Sequence, residues 1–265
     1  MEITRGWRRQ ISVIDALFLR ELRARFSSSQ AGLFWTFFQP FFMTSMFLTM
    51  HMVLRGSDSS SNSVYDYAVF LVLSMTSFFL FRDTLGKSAG AFTGNKSLFI
   101  YRRVKPVDTI VARMLVEIFI MSIIMSIFII IGFYLGRDMH AKNLGMVFLG
   151  YIWLFVFGFG LGLLVAIGNV FYDFVGKLVG YISMPLLFLS GVFYSIQSVY
   201  QVSPDVAQLL LYNPLVHFME MIHGNYFYDL DDRFVDYEYM AIWTAVTLFS
   251  GLWLYIFLEK RIVSS

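Results

Sequence analysis

Six stretches of apolar residues, at about 33–54, 65–81, 107–135, 144–168, 178–194 and 239–258, follow one another with little polar sequence between them. Each has roughly the 20 residues a helix needs to cross a hydrocarbon core of about 30 Å. A soluble domain of 265 residues would need a polar shell, yet only 14% of this chain is charged and 58% is hydrophobic. Soluble domains carry about 25% charge. The reading is an all-α integral membrane protein of six transmembrane helices, with the second span open to extension past Arg82. The sequence has no cysteine, so it has no disulfide framework, thiolate metal site or cysteine nucleophile.

An even number of spans returns both termini to one side, and the Lys/Arg distribution says which. Sixteen of the twenty basic residues lie in the N-terminal segment, between the second and third spans, at Lys177 and in the tail. The opposite side keeps Arg55, Arg137, Lys142 and Arg233 beside many acids, among them Asp58, Asp66, Asp138, Asp229 and Glu238. Both ends are therefore expected in the cytoplasm. The first thirty residues are expected to be retained, because Val13 to Leu19 is short and broken by Asp15, unlike the apolar region of a signal peptide. A net charge of +2 argues against a nucleic-acid partner. No internal repeat supports the inverted halves of many secondary transporters.

Three segments outside the spans carry most of the information. In the first, Ile11, Ile14, Phe18, Leu22 and Phe26 recur at spacings of three and four, while Arg20, Glu21, Arg23 and Arg25 occupy other faces. This predicts an amphipathic helix in the cytoplasmic headgroup layer, the alternative being a helix packed on the protein itself. The second is the loop 82–106, with a short helix predicted at about 95–101. Its Asn95, Leu98, Phe99, Tyr101 and Arg102 place an apolar patch inside a charged rim, the mark of a protein contact; the alternative is a plain topology determinant. In the third, Ser203-Pro204 and Asn213-Pro214 each set an N-cap residue before Pro at the first helical position. They predict short helices at about 204–212 and 214–223, carrying His217 and Glu220, too short to span and rich in apolar residues. These read as a re-entrant pair forming an outer gate or as a cap outside the bilayer.

Catalytic chemistry is not expected. Leu85-Gly86-Lys87-Ser88 resembles the end of a P-loop, but Phe81 stands where its first glycine belongs and no strand precedes it. Any ATP is expected to be hydrolysed by a partner. His51, His140, His217 and His223 lack ligand spacing, so no metal site is expected; the acidic run at Asp229, Asp231 and Asp232 reads as a solvated loop. Arg113 and Glu117 fall on one face of the third span, where a carboxylate should be paired or face a wet lumen. Pairing with each other is the expectation, with a place at the mouth of a pathway as the functional version. Gly158, Gly160 and Gly162 predict close helix packing.

The segments Ala16-Leu-Phe-Leu-Arg-Glu-Leu-Arg-Ala-Arg-Phe26, Phe99-Ile-Tyr-Arg-Arg-Val-Lys-Pro-Val-Asp-Thr-Ile-Val-Ala-Arg113 and Tyr212-Asn-Pro-Leu-Val-His-Phe-Met-Glu220 together resemble the ABC-2 type permeases, most closely the permease subunits of bacterial capsular polysaccharide exporters (KpsM type). Ile222-His223-Gly224 departs from the Arg-containing sequence expected after Glu220. The resemblance implies a multi-pass protein of the bacterial inner membrane, with an interface helix within 1–32, a transmembrane domain at 33–258 and a cytoplasmic tail at 259–265. It implies a coupling helix at 95–101 and gate helices at 204–223. Implied partners are a second copy, two ATPase subunits that bind the ATP and Mg, a periplasmic adaptor and membrane lipid; no cofactor belongs to the chain itself. The implied cargo is a lipid-linked capsular polysaccharide. Sugar C–H faces pack on aromatic rings, and 19% of the chain is aromatic, so Trp35, Phe38, Phe42, Tyr181, Phe188 and Tyr194, with Arg113 and Glu117, are expected along the path. Open alternatives are another polymer such as O-antigen or teichoic acid, an ion-coupled secondary transporter using Glu117, Asp173 and the histidines, or an enzyme acting on lipid-linked sugars.

Overall fold

The computed structural model describes residues 2–27, 30–55, 66–99 and 104–264, and among them there is no strand. The helices are α1 (Glu2–Ser27), α2 (Gln30–Arg55), α3 (Tyr67–Ala89), α4 (Pro106–Tyr134), α5 (Leu144–Phe171), α6 (Phe174–Leu189), α7 (Ile196–Val202), α8 (Pro204–Leu210), α9 (Pro214–Tyr226) and α10 (Tyr237–Ser264). A 3₁₀ turn at Thr93–Leu98 lies between α3 and α4.

Among the described residues α3, α4, α5 and α10 are long and apolar enough to cross a membrane. The shortest, α3, has 23 residues and rises about 35 Å at 1.5 Å per residue. The two other expected spans differ. Over its 26 residues α2 has the length, but it falls outside that group of four. The span expected at 178–194 is α6, whose 16 residues rise only about 24 Å. It stops at Leu189 because Gly191 takes a φ of +75°, a left-handed conformation that glycine adopts without a Cβ penalty.

Local signals explain most boundaries. The Asp66 carboxylate accepts from the Ala68 and Val69 amides and starts α3, as an N-cap should. That helix continues to Ala89, so Arg82, Asp83 and Lys87 ride on its last turns and not in a loop. Asp108 accepts from the Lys105 amide at 2.9 Å and Pro106 opens α4, a cap and a pre-set φ acting together. The Asn143 side chain caps α5 and Asn213 caps α9. Helix α10 continues through the stretch expected as a separate tail.

Helix α3 is the axis of the bundle. Val69 to Phe81 are buried without interruption, and its buried Ser74, Thr76 and Ser77 donate to carbonyls of their own helix. That satisfies hydroxyls which would otherwise be costly in an apolar interior. Around it stand α4 and α5, with α10 against the far side of α5. The α5–α10 seam closes on Gly160, where a Cβ would lie 2.7 Å from the Leu248 nitrogen, and on Gly251, 3.0 Å from the Gly160 oxygen. Gly158 and Gly162 instead face Thr84 and Ser88 of α3, so the small residues of α5 serve two neighbours, as close packing in lipid requires.

Candidate functional site

The end of the bundle that carries the basic residues holds an interhelical charge cluster. Helix α1 lies along α4, with Leu17 buried and Phe18 and Leu22 against the core. The middle of the apolar stripe is thus used on α4. Ile11 stays exposed, and the side chain of Phe26 lies outside the described residues. Arg23 also remains exposed.

Arg25 donates to Glu117, and Arg113 pairs with Glu21 at 2.9 Å. Glu117 is only 2% exposed. The expected Arg113–Glu117 pair within α4 does not form. Within one helix an acidic residue stabilises best when it precedes its basic partner at i,i+4, and here Arg precedes Glu. Pairing across the two helices gives all four charges a partner. Arg20 reaches Asn95 of the 3₁₀ turn, Gln10 reaches Asp108, and Arg113 donates to the Lys87 carbonyl at 2.7 Å. One network thus ties α1, the end of α3, the 3₁₀ turn and the start of α4.

The turn itself departs from its expected form. In place of a helix at 95–101 there is a 3₁₀ segment, with Asn95 at a non-helical φ of −122°. Tyr101 and Arg102 lie outside the described residues. Asn95 and Phe99 are buried and Leu98 is half-buried: Phe99 packs with Phe92, Ile110, Met114 and Leu163, while Asn95 donates to the Ala91 carbonyl at 2.8 Å. These residues anchor the turn and are not exposed knobs. The surface it presents is Gly94, Lys96 and Ser97.

At the acidic end α9 is sunk into the bundle, with Leu215 to Tyr226 all buried. Phe218 stacks on Phe157 at 5.0 Å, midway along α5, and Asn213 donates to the Leu189 carbonyl at 3.1 Å. The start of α9 therefore meets the end of the short α6, and α9 climbs back toward the α5 N-terminus, where the Asn143 amide donates to the Asn225 carbonyl. Pro204 opens α8, whose Val206 and Leu209 are exposed, and α7 before it is an element the sequence reading missed.

Both polar residues expected at an outer gate have structural partners. His217 donates from Nε2 to the Leu211 carbonyl at 2.8 Å and accepts the Asp236 amide at Nδ1, which fixes the neutral Nε2–H tautomer. Glu220 accepts the Ile196 amide at 2.8 Å and so holds the start of α7. Beside it His223 contacts Ser74 at 2.8 Å through Nε2, with Nδ1 3.9 Å from the Glu220 carboxylate. Ser, His and Glu are the residue types of a hydrolase triad, but Ser74 gives its proton to the Phe70 carbonyl and all three are sealed inside. No metal-holding group occurs among the described residues.

The residues expected along the aromatic path lie on α2, on α6 and just after α6. Trp35, 58% exposed, joins a ladder on α2 in which Phe38 stacks on Phe34 and Phe42. Tyr181, 73% exposed, and Phe188 lie on α6, and Tyr194 turns its hydroxyl to the Phe188 carbonyl. Phe188 stacks on Phe193 at 5.3 Å and Phe193 meets Phe47 of α2 at 5.0 Å, while Arg113 and Glu117 are held by α1.

The ABC-2 type transporter family model matches residues 12–227. The polysialic acid transport protein KpsM of Escherichia coli is 30% identical over 260 residues, 98% of each chain. The capsule polysaccharide export inner-membrane protein CtrC of Neisseria meningitidis serogroup B is 29% identical, covering 92% of this chain and 89% of its own. BexB of Haemophilus influenzae, with the same description, is 26% identical over 91% and 88%. A match across the apolar helices, the charge network and the buried α9 leaves one assignment: the chain belongs to the ABC-2 type transporter family.

Proposed function

We propose that this chain is the membrane permease subunit of an ABC transporter that exports lipid-linked capsular polysaccharide across the bacterial inner membrane, energised by a separate ATPase. The observation that carries the reading is the end-to-end similarity to KpsM, CtrC and BexB, whose descriptions name polysialic acid transport or capsule polysaccharide export. The working unit is a pair of these chains with two ATPase subunits, which bind the ATP and Mg, and a periplasmic adaptor. Six crossings are completed by α2 and by α6 together with α7–α9, with both termini in the cytoplasm; the concentration of Lys and Arg at that end supports this orientation.

In this reading the ATPase docks where the 3₁₀ turn exposes Lys96 and Ser97 and beside the outer face of α1. Movement of the turn passes through Asn95 and Arg20 into α1, and from Glu21 and Arg25 into α4. The buried α9 is the outer gate, since it blocks the bundle from the acidic end. Co-expression with the cognate ATPase, in cells deleted for their own exporter, should place capsule polymer on the surface only when that ATPase hydrolyses ATP. Transport by the purified chain alone, driven by an ion gradient, would show a secondary transporter instead.

A further inference from the structure

Between the second half of α3 and nearly the whole length of α6 lies an open groove of about 470 Å³, within the roughly 300–1,000 Å³ of small-molecule sites. Two of its lining residues are glycines that no helix contact explains: a Cβ on Gly86 or on Gly180 would meet nothing within 4 Å. A glycine inside a helix is destabilising relative to alanine, and at Gly160 that loss is offset by the approach of α10. At Gly86 and Gly180 only empty space is gained. Gly176, four residues before Gly180, is different: a Cβ there would lie 2.6 Å from Asn169 Oδ1. The pair therefore does not leave an open small-residue stripe for a second helix.

The lining is also chemically mixed. Phe78, Met184 and Leu187 supply apolar wall. Arg82 is fixed by Asp83 at 2.7 Å and lies over the Phe79 ring at 4.6 Å. Lys87 lines the cavity at the basic end, and among the described residues no acidic group pairs with its ammonium. Ser183 donates to the Val179 carbonyl at 2.6 Å, which leaves its oxygen as an acceptor.

We propose that this cavity binds a carboxylate-bearing sugar unit of the polymer in transit, an inference that rests on the export reading above. The sugar carboxylate pairs with Lys87 in a charge-assisted hydrogen bond, its hydroxyls donate to Asp83 and Ser183, and its C–H face lies on Phe78, Met184 and Leu187. A phosphomonoester lipid headgroup also suits Lys87, but it lacks the array of hydroxyl donors that Asp83 would accept. The relative KpsM is a polysialic acid transport protein, and polysialic acid is a polymer of such carboxylate sugars.

The test uses the full chain in neutral-lipid nanodiscs, with fluorescent oligosialic acid, a neutral dextran oligomer of equal length and phosphatidic acid as probes. The acidic oligosaccharide should bind at least about tenfold tighter than dextran, the size expected of one charge-assisted contact. Lys87→Gln should weaken it about tenfold, and Gly180→Leu, which fills open space, should weaken it at least as much with an unchanged melting temperature. Lys177→Gln, an equal loss of charge outside the cavity, should not. Unaltered binding in both cavity variants, equal binding of dextran, or displacement by phosphatidic acid in preference to the sugar would each overturn the assignment. Loss of self-association in Gly180→Leu with glycan binding intact would assign the face to a second copy and overturn it as well. If wild type exports polymer with its ATPase while both variants bind and export equally well, the cavity assignment alone fails. If wild type exports nothing, both readings fall.

Discussion

Glu117 is the side chain on which the basic end depends most, because a carboxylate that is almost fully buried has, among the described residues, one cationic partner, Arg25. Replacing one member of a buried pair strands the other and costs about 3–5 kcal/mol; Glu21 is less deeply buried than Glu117, and a Gln there still accepts from Arg113, which also keeps its bond to the Lys87 carbonyl. Glu117→Arg should therefore lower the melting temperature in detergent sharply, and Glu21→Gln only mildly. The swap Arg25→Glu with Glu117→Arg should recover more than half of the loss. A double variant no more stable than the worse single variant would show that the two residues do not hold each other. The clasp was legible in part: Glu21 and Arg25, like Arg113 and Glu117, are four apart with opposite order of charge. Reading Arg113 and Glu117 as a pair within one helix hid the match between helices, because a sequence does not say which helices lie side by side.

At the scale of elements, the 3₁₀ turn separates two roles that the sequence presented as one patch. Phe99 faces inward among Phe92, Ile110 and Met114, so Phe99→Ala should cost about 3–5 kcal/mol of stability, the usual penalty for emptying a core aromatic site. Lys96 faces outward, so Lys96→Glu should leave the melting temperature within about 1 °C, since exposed substitutions change stability little. The same change should weaken co-purification of the ATPase and lower export severalfold. If Phe99→Ala weakened docking without destabilising the chain, its assignment as an anchor would fail. Prolines and their caps made the starts of α4, α8 and α9 readable, since Pro106, Pro204, and Asn213 with Pro214 act locally. The end of α6 was not readable, because an apolar run looks the same before and after Gly191, whose positive φ comes from the tertiary path. Helix α7 was missed because its seven residues give too short a window for periodicity.

The molecule as a whole is a bundle whose two ends differ in charge and in how they are closed. Six apolar stretches were visible in the sequence, but the shallow reach of α6 and the insertion of α9 beside α5 were not, because both depend on which neighbours cover them. The chain contains no cysteine, so single cysteines can report its sidedness without prior removal of native thiols. Leu209 on α8 is 69% exposed and Tyr228, between α9 and α10, is exposed too; both should react with a membrane-impermeant maleimide added outside spheroplasts when changed to Cys. Lys260, exposed near the end of α10, should react as Cys only after permeabilisation. Met219 of α9 is fully buried, and Met219→Cys should resist the reagent from both sides at rest but become reactive while the ATPase turns over, since polymer cannot leave past a fixed α9. Labelling of Leu209 and Lys260 variants from the same side would refute the orientation drawn from the basic residues. A Met219→Cys site that stays protected during active export would show that α9 is a fixed plug, and that the polymer leaves along another face of the bundle.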